Sequence, residues 1–169
     1  MSKPQSPAKP AAAAEKKPYF KVVATNRRAR HDYTIEESLE AGLVLHGSEV
    51  KSLRAGKVDF ADSYARVYEG QCWLVGLRIS PYEKAFVEVP IADRRRKLLL
   101  KKREIQKLQA RMDRAGYTVV PLEVYFHGNW AKVKLGICRG KTKADKRQAL
   151  RKDEARREVD RAMKMRNRG

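Results

Sequence analysis

The chain has 169 residues and carries 39 lysines and arginines against 20 acidic residues, a net charge of +19. That length suits one domain, and no run of about 18 apolar residues occurs, which excludes a membrane-spanning helix. Charge of this size points to a polyanionic partner, nucleic acid first and an anionic membrane surface second. It is also concentrated: residues 1–30 carry +7, 91–114 carry +7 and 139–169 carry +8, whereas 31–90 carry −4. Three basic blocks around a near-neutral body suit several contacts with one large polyanion.

In chain order, "MSKPQSPAKPAAAAEKKP" lacks the apolar region of roughly 7–15 residues that a secretory signal needs. Its Ala/Pro/Lys composition predicts a disordered basic N-terminal extension over residues 1–24. "RHDYTI" reads as a strand, followed by either a turn or a short helix ending at Gly42. "LVLHGSEVKSL" (43–53) is apolar and β-branched enough to read as a strand, stopped by the turn-forming "RAGK". "SYARVYEGQCWLVGLRIS" reads as a hairpin turning at Glu69-Gly70, with Trp73, Val75, Leu77 and Ile79 sharing one face by period-2 alternation. Next comes a helix, with Leu98, Ile105, Leu108 and Met112 on one face and Gly116 as its stop. Leu99 and Leu100 miss that face, so either the helix begins after them or Leu99 is exposed to a partner. "YTVVPLEVYFHGNWAKVKLGI" reads as a second hairpin around Gly128-Asn129, with Val133, Leu135 and Ile137 inward and Lys132 and Lys134 outward. Beyond Gly140 apolar residues are too sparse for a core stripe, so residues 141–169 are expected to form a flexible basic tail that becomes helical against an anion. Short antiparallel strands with one inserted helix predict a mainly β fold, an oligonucleotide-binding-fold-like antiparallel barrel over residues 25–140.

Little in the chain resembles an active site. Asp32 together with Glu49 and Lys51 matches the carboxylate–Glu-x-Lys metal site of certain nucleases, but residues i and i+2 share a face on any strand. The three histidines supply no nucleophile–base–acid set, and no glycine run has phosphate-loop spacing. Cys72 and Cys138 stand without C-x-x-C or histidine partners, which reads as two buried free thiols in a reducing cytosol. No cofactor is expected. Tyr33, Tyr64, Tyr68, Trp73, Tyr82, Tyr117, Tyr125, Phe126 and Trp130 are dispersed in sequence, and most read as core residues, not as base-stacking platforms.

The segments "NRRARHDYTIEESLEAGLVLHGSEVKSLRAGKVDFADSYA", "RKLLLKKREI", "GYTVVPLEVYF", "WAKVKLGICRGK" and "DKR" closely resemble the small protein B family, collinear from Asn26 to Arg147. The resemblance implies an oligonucleotide-binding barrel that binds the tRNA-like domain of transfer-messenger RNA. It further implies a cytoplasmic, non-catalytic monomer that accompanies this RNA to stalled ribosomes in trans-translation. RNA-facing positions carried over from the family are Asn26, Arg28, Arg30, Glu40, Lys51, Arg54, Lys57, Leu99 and Lys101; Lys132 and Lys134 join the same rim by alternation. The resemblance also implies that Lys141, Asp145, Lys146 and Arg147 in the tail meet the small-subunit decoding centre and mRNA channel. Two positions depart from the family pattern: Lys101, where many members have Asn or His, and Ala144, where an aromatic or His usually precedes Asp-Lys-Arg.

Overall fold

The computed structural model describes residues 20–83 and 90–166. The chain joins a sheet at β1 (Phe20–Thr25), inside the stretch 1–24 expected to be an unstructured extension; residues 1–19 lie outside the described residues. A one-and-a-half-turn helix, α1 (Arg27–Asp32), follows, capped by Asn26, whose side-chain oxygen accepts the Ala29 amide proton at 3.0 Å. The next strand, β2 (Tyr33–Leu43), runs eleven residues. It takes in both "RHDYTI" from Tyr33 on and the segment to Gly42 expected to be a turn or short helix. Polar and apolar residues alternate on either side of the polar run Glu36-Glu37-Ser38, and pairing with a long partner strand carries β2 through that run to Leu43.

The stretch 43–53 is not a strand. Its chain leaves the sheet after Leu43 and forms α2 (Gly47–Arg54), because the Glu49 carboxylate turns back to accept the His46 amide proton at 2.8 Å, half of a capping box. The chain then passes through β3 (Val58–Asp59), β4 (Tyr64–Tyr68), β5 (Gln71–Val75), β6 (Arg78–Ile79) and β7 (Arg96–Leu99). The β4–β5 hairpin turns at Glu69-Gly70 as expected, both residues having positive φ (47° and 70°), the combination of a tight primed turn. Its buried face is the opposite of the one expected. Cys72 and Leu74 point inward, Trp73 and Val75 outward, and the phase flips at Gly76 (φ 75°), so that Leu77 and Ile79 are again buried. A side chain at Gly76 would sit 2.6 Å from the Asp62 carbonyl oxygen, which leaves glycine as the residue for this reversal.

The helix α3 (Lys102–Met112) begins after the three leucines, with Glu104 accepting the Lys101 amide proton at 2.7 Å. Leu98 belongs to β7, and the helix ends at Met112, before Gly116. The second hairpin, β8 (Tyr117–His127) and β9 (Trp130–Gly140), matches expectation, with Val133, Leu135 and Ile137 buried. The described residues finish in α4 (Lys143–Arg166), a 24-residue helix over the stretch expected to be a basic tail that becomes helical against an anion. It starts from a Thr142/Asp145 capping arrangement: Thr142 donates from its amide at 3.0 Å and its hydroxyl at 2.7 Å to the Asp145 carboxylate, and the Asp145 amide donates back to that hydroxyl.

Apart from β3 and β6, which pair separately, seven strands form an antiparallel sheet, ordered β1-β8-β4-β5-β7-β2-β9, which closes on itself through β8–β9 pairing. Its interior holds the main core, including Leu74, Leu98, Val119, Val124, Val133, Leu135 and Ile137, with α3 placing Leu108 against it. Bulges at Glu36 in β2 and near Leu122 in β8 switch which residues face inward. On one side of the bulges Tyr33, Ile35, Val120, Leu122 and Cys138 pack beneath Ala29 of α1 outside the ring. On the other side Leu39, Ala41, Val124 and Phe126 enter the ring, and Glu40 and Tyr125 face out. Cys72 and Cys138 are free and buried as expected, and burial pushes both thiols up to about 11.

Candidate nucleic-acid interface

The register of four strands builds one outer surface. Leu99 of β7 stands opposite Gly42 of β2, Gly42 opposite Lys132 of β9, and Lys132 opposite Tyr125 of β8. In the adjacent row Glu40 faces Lys134, which faces Glu123. A Cβ at Gly42 would lie 3.1 Å from the Leu99 Cβ, a tight contact that glycine avoids. Leu99 therefore lies over bare backbone, and it remains 55% exposed, a large apolar side chain unattached to any core. Lys101 caps α3 beside it, and Leu39, Glu40, Ala41, Gly42, Leu99, Leu100, Lys101, Glu104 and Lys132 line a shallow depression of about 620 Å³.

Glu40 is fixed by two donors, the Lys132 ammonium and the Tyr125 hydroxyl. The Lys132 hydrogen bond, then the Tyr125 one, holds its carboxyl below the ordinary 4.5. Burial and the Glu40 carboxylate together push the Tyr125 phenol well above its usual range. The carboxylate is thus ionised at neutral pH, held in place and half-exposed. A carboxylate repels phosphate but can accept hydrogen bonds from base amino groups and ribose hydroxyls.

The other expected RNA-facing residues occupy two further surfaces. On α1, Arg28 pairs with Asp32 at 3.3 Å and Arg30 with Glu123 at 3.3 Å, both arginines being exposed. Asn26 is occupied by structure: besides its cap it donates from Nδ2 to the Pro121 carbonyl at 2.9 Å, pinning α1 to β8. Lys141 is anchored to the same place, donating from Nζ to the Arg30 carbonyl at 2.9 Å and from its backbone to Asp32. Asp145 serves the α4 cap, where the Thr142 hydroxyl and amide hold its carboxyl below the ordinary 3.8. Arg147 is exposed one turn into α4; the side chain of Lys146 lies outside those described. On the α2 side, the Lys51 ammonium lies 5.5 Å from the Tyr82 ring centroid and the Arg54 guanidinium 5.5 Å from that of Phe126. Lys57, just past α2, is paired with Glu83.

The nuclease alternative does not survive. Two residues apart on a helix, Glu49 and Lys51 point to different sides. Glu49 is buried, with Arg94 Nε at 2.9 Å and Arg96 Nε at 3.0 Å, and Arg96 is itself fully buried. Burial alone would raise the Glu49 carboxyl, but the Arg94 hydrogen bond, the His46 amide and the two guanidinium charges hold it below 4.5. Among the described residues no group of three His, Cys, Asp or Glu side chains could hold a metal ion.

The sequence gives no sign of the roles of Tyr125, Arg94 and Arg96. Tyr125 reads as core because its phase depends on the bulge near Leu122, which leaves no mark in hydropathy. The aromatic residues also divide differently from expectation: of those singled out, only Tyr125 and Phe126 are buried, whereas Tyr64, Tyr68 and Trp130 are exposed.

A family model described as SmpB protein matches residues 23–165. An SsrA-binding protein of Roseiflexus castenholzii is 51% identical over 151 residues, covering 88% of this chain and 94% of the relative. One of Leifsonia xyli subsp. xyli is 52% identical over 143 residues, covering 85% and 90%. A solved structure described as "tmRNA-SmpB: a journey to the center of the bacterial ribosome" superposes with a TM-score of 0.64 at 49% identity, covering 78% of this chain and 95% of that one.

Proposed function

This chain belongs to the SmpB protein family, and from that premise we propose that it binds transfer-messenger RNA and accompanies it to stalled ribosomes in trans-translation. It is an RNA-binding protein, not an enzyme, and it works in the cytoplasm. The closed ring is an oligonucleotide-binding-fold-like barrel over residues 25–140, extended at its N-terminal edge by β1. The observation that carries the site is the exposed Leu99 in one cross-strand row with Gly42 and Lys132, beside the held Glu40 carboxylate. Leu99 offers an apolar surface to a base or sugar of the tRNA-like domain. Glu40 accepts from that nucleotide's donors, and Lys101, Lys132 and Lys134 meet the phosphates. Arg28 and Arg30 on α1 and Lys51, Arg54 and Lys57 around α2 extend the contact along the backbone. A titration of the tRNA-like domain against the full chain at increasing salt tests this. Each phosphate contact contributes up to about −0.9 to the log–log slope, and an affinity that does not change with salt sinks the reading.

The tail has a separate task in this reading. Residues 139–169 hold +8 of the net charge, and α4 presents most of its described side chains to solvent. Such a helix suits a channel walled by ribosomal RNA phosphates, with Lys141, Asp145, Lys146 and Arg147 at its root near the decoding centre. Truncation after Gly140 leaves the barrel folded and most RNA affinity in place while tagging on stalled ribosomes is lost. If affinity and tagging fall together, the tail belongs to the RNA site.

A further inference from the structure

The outward phase of β5, opposite to the one its sequence predicts, puts three aromatic rings on the outside of the barrel. Tyr64 and Tyr68 of β4 are 40% and 61% exposed, and Trp73 of β5 is half-buried between them. In register, Arg66 stands opposite Trp73, and Trp73 opposite Lys97 of β7, so the indole is flanked by a cation on either side. Tyr64, Arg66, Tyr68, Trp73, Val75 and Arg95 are among the residues lining an open groove of about 650 Å³, where the sole carboxylate among the described lining residues is Glu69 in the turn. Nothing in the fold requires these rings outside. Cys72 and Leu74 fill the core from the same strand, and an exposed tyrosine pair adds little to stability.

The groove is continuous with the face described above. The β5–β7 ladder ends at the Cys72–Leu98 pair; extending its antiparallel register by one step would set Gln71 beside Leu99, and Tyr68 is paired with Gln71. Tyr68 and Leu99 are thus two strand spacings apart, about 10 Å, on one outer surface. We propose that this hairpin groove is a second RNA subsite, which takes an unpaired nucleobase stacked on Trp73 and the tyrosines while Arg66, Arg95 and Lys97 hold its flanking phosphates. The proposal rests on the RNA-binding reading for the class of partner. Aromatic faces flanked by arginines are the arrangement that single-stranded nucleic acid uses, stacking being tolerant of base identity. An acidic peptide would use the same cations but leave three rings without a planar partner.

The chain has two tryptophans, so Trp130→Phe leaves Trp73 as the sole indole reporter. In that background short unstructured oligo(A) quenches the Trp73 fluorescence saturably. Adding Tyr64→Ala and Tyr68→Ala weakens the apparent affinity by about tenfold, the order expected when base stacking is lost, with the melting temperature unchanged. Arg66→Glu weakens it by a similar factor without touching a ring. Oligo(A) binding that the tyrosine and Arg66 substitutions leave unchanged overturns the proposal, as does quenching by oligoglutamate of equal strength. Leu99→Asp separates the two readings: it lowers affinity for the tRNA-like domain while oligo(A) quenching persists. No quenching with tRNA-like domain binding intact sinks the groove alone; loss of both nucleic acids from the unmodified chain sinks the RNA reading with it.

Discussion

Glu49 and Glu40 are built from the same parts and placed oppositely. Each is a carboxylate held by two side-chain donors, and both are held below the ordinary 4.5. Glu49 is buried between α2 and the strand entry at Arg94 and Arg96, where the Arg96 guanidinium is taken out of water with it and that of Arg94 is partly buried. Glu40 stands half-exposed on the outer face, tied to the Lys132 ammonium and a phenol. In the buried pair desolvation makes every missing partner costly, so the set works as one structural unit. On the surface, screening leaves the pair nearly neutral for folding, and what it does is hold an acceptor at a fixed place among basic residues. Burial, not residue type, separates the carboxylate committed to the fold from the one left open for the recognition role proposed for Glu40.

The largest effect expected from this contrast is on stability. Glu49→Ala leaves the Arg96 guanidinium buried without its counter-charge, and loss of about 3–5 kcal/mol in urea unfolding follows. The linked pH dependence has a definite sign. Because the folded carboxyl is held below 4.5, the stability owed to it is complete above that value and lost as pH falls through the folded value. Unfolding at pH 7 and pH 3 therefore shows Glu49→Gln closer to the unmodified chain at the lower pH. A difference that grows on acidification contradicts the assignment.

Next in size are substitutions on the outer face. Leu99→Asp and Glu40→Ala each lower affinity for the tRNA-like domain by about tenfold or more, about 1.4 kcal/mol, with melting temperatures close to that of the unmodified chain. Normal binding by both variants would show that this row is not the RNA surface. If instead Glu40→Ala melts early, Glu40 behaves like Glu49 and the contrast fails.

Why the sequence makes one of these residues look catalytic and leaves the other to a family resemblance is instructive. Glu49 and Lys51 look like a pair because 43–53 is rich in residues that suit a strand, yet the Glu49 capping interaction turns the segment into a helix. The long-range arginine partners, 45 and 47 residues away, that complete its environment have no local pattern. The β9 strand is legible, because Val133, Leu135 and Ile137 alternate strictly with Lys132 and Lys134 and the bulges fall in its partners β2 and β8. The β4–β5 hairpin is legible in its turn and not in its face. Gly76 reverses the phase in mid-run, so Leu77 and Ile79 keep the inward side expected of them while Trp73 and Val75 lose it. A count by twos carries no sign of such a reversal. Exposure of Leu99 is one of two open alternatives on the helical wheel. The structure gives both at once, since the helix begins after the leucines and Leu99 is exposed on a strand.

The smallest expected effect isolates the two roles within a single pair. Lys132→Met removes the ammonium that holds Glu40 and retains an apolar stem of similar length. With the Glu40 side chain half-exposed, the ion pair contributes within about 1 kcal/mol, so urea midpoints of the variant and the unmodified chain nearly coincide. The carboxyl, freed of its first cause of depression, moves up toward 4.5 but stays held in part by Tyr125. Carboxyl carbon NMR titration of Glu40 reads that shift directly. Affinity for the tRNA-like domain falls more than stability does, and its salt slope becomes shallower by roughly one phosphate contact. A variant that unfolds more readily yet binds with an unchanged slope would make Lys132 a structural residue and leave the recognition role to Lys134 and Lys101.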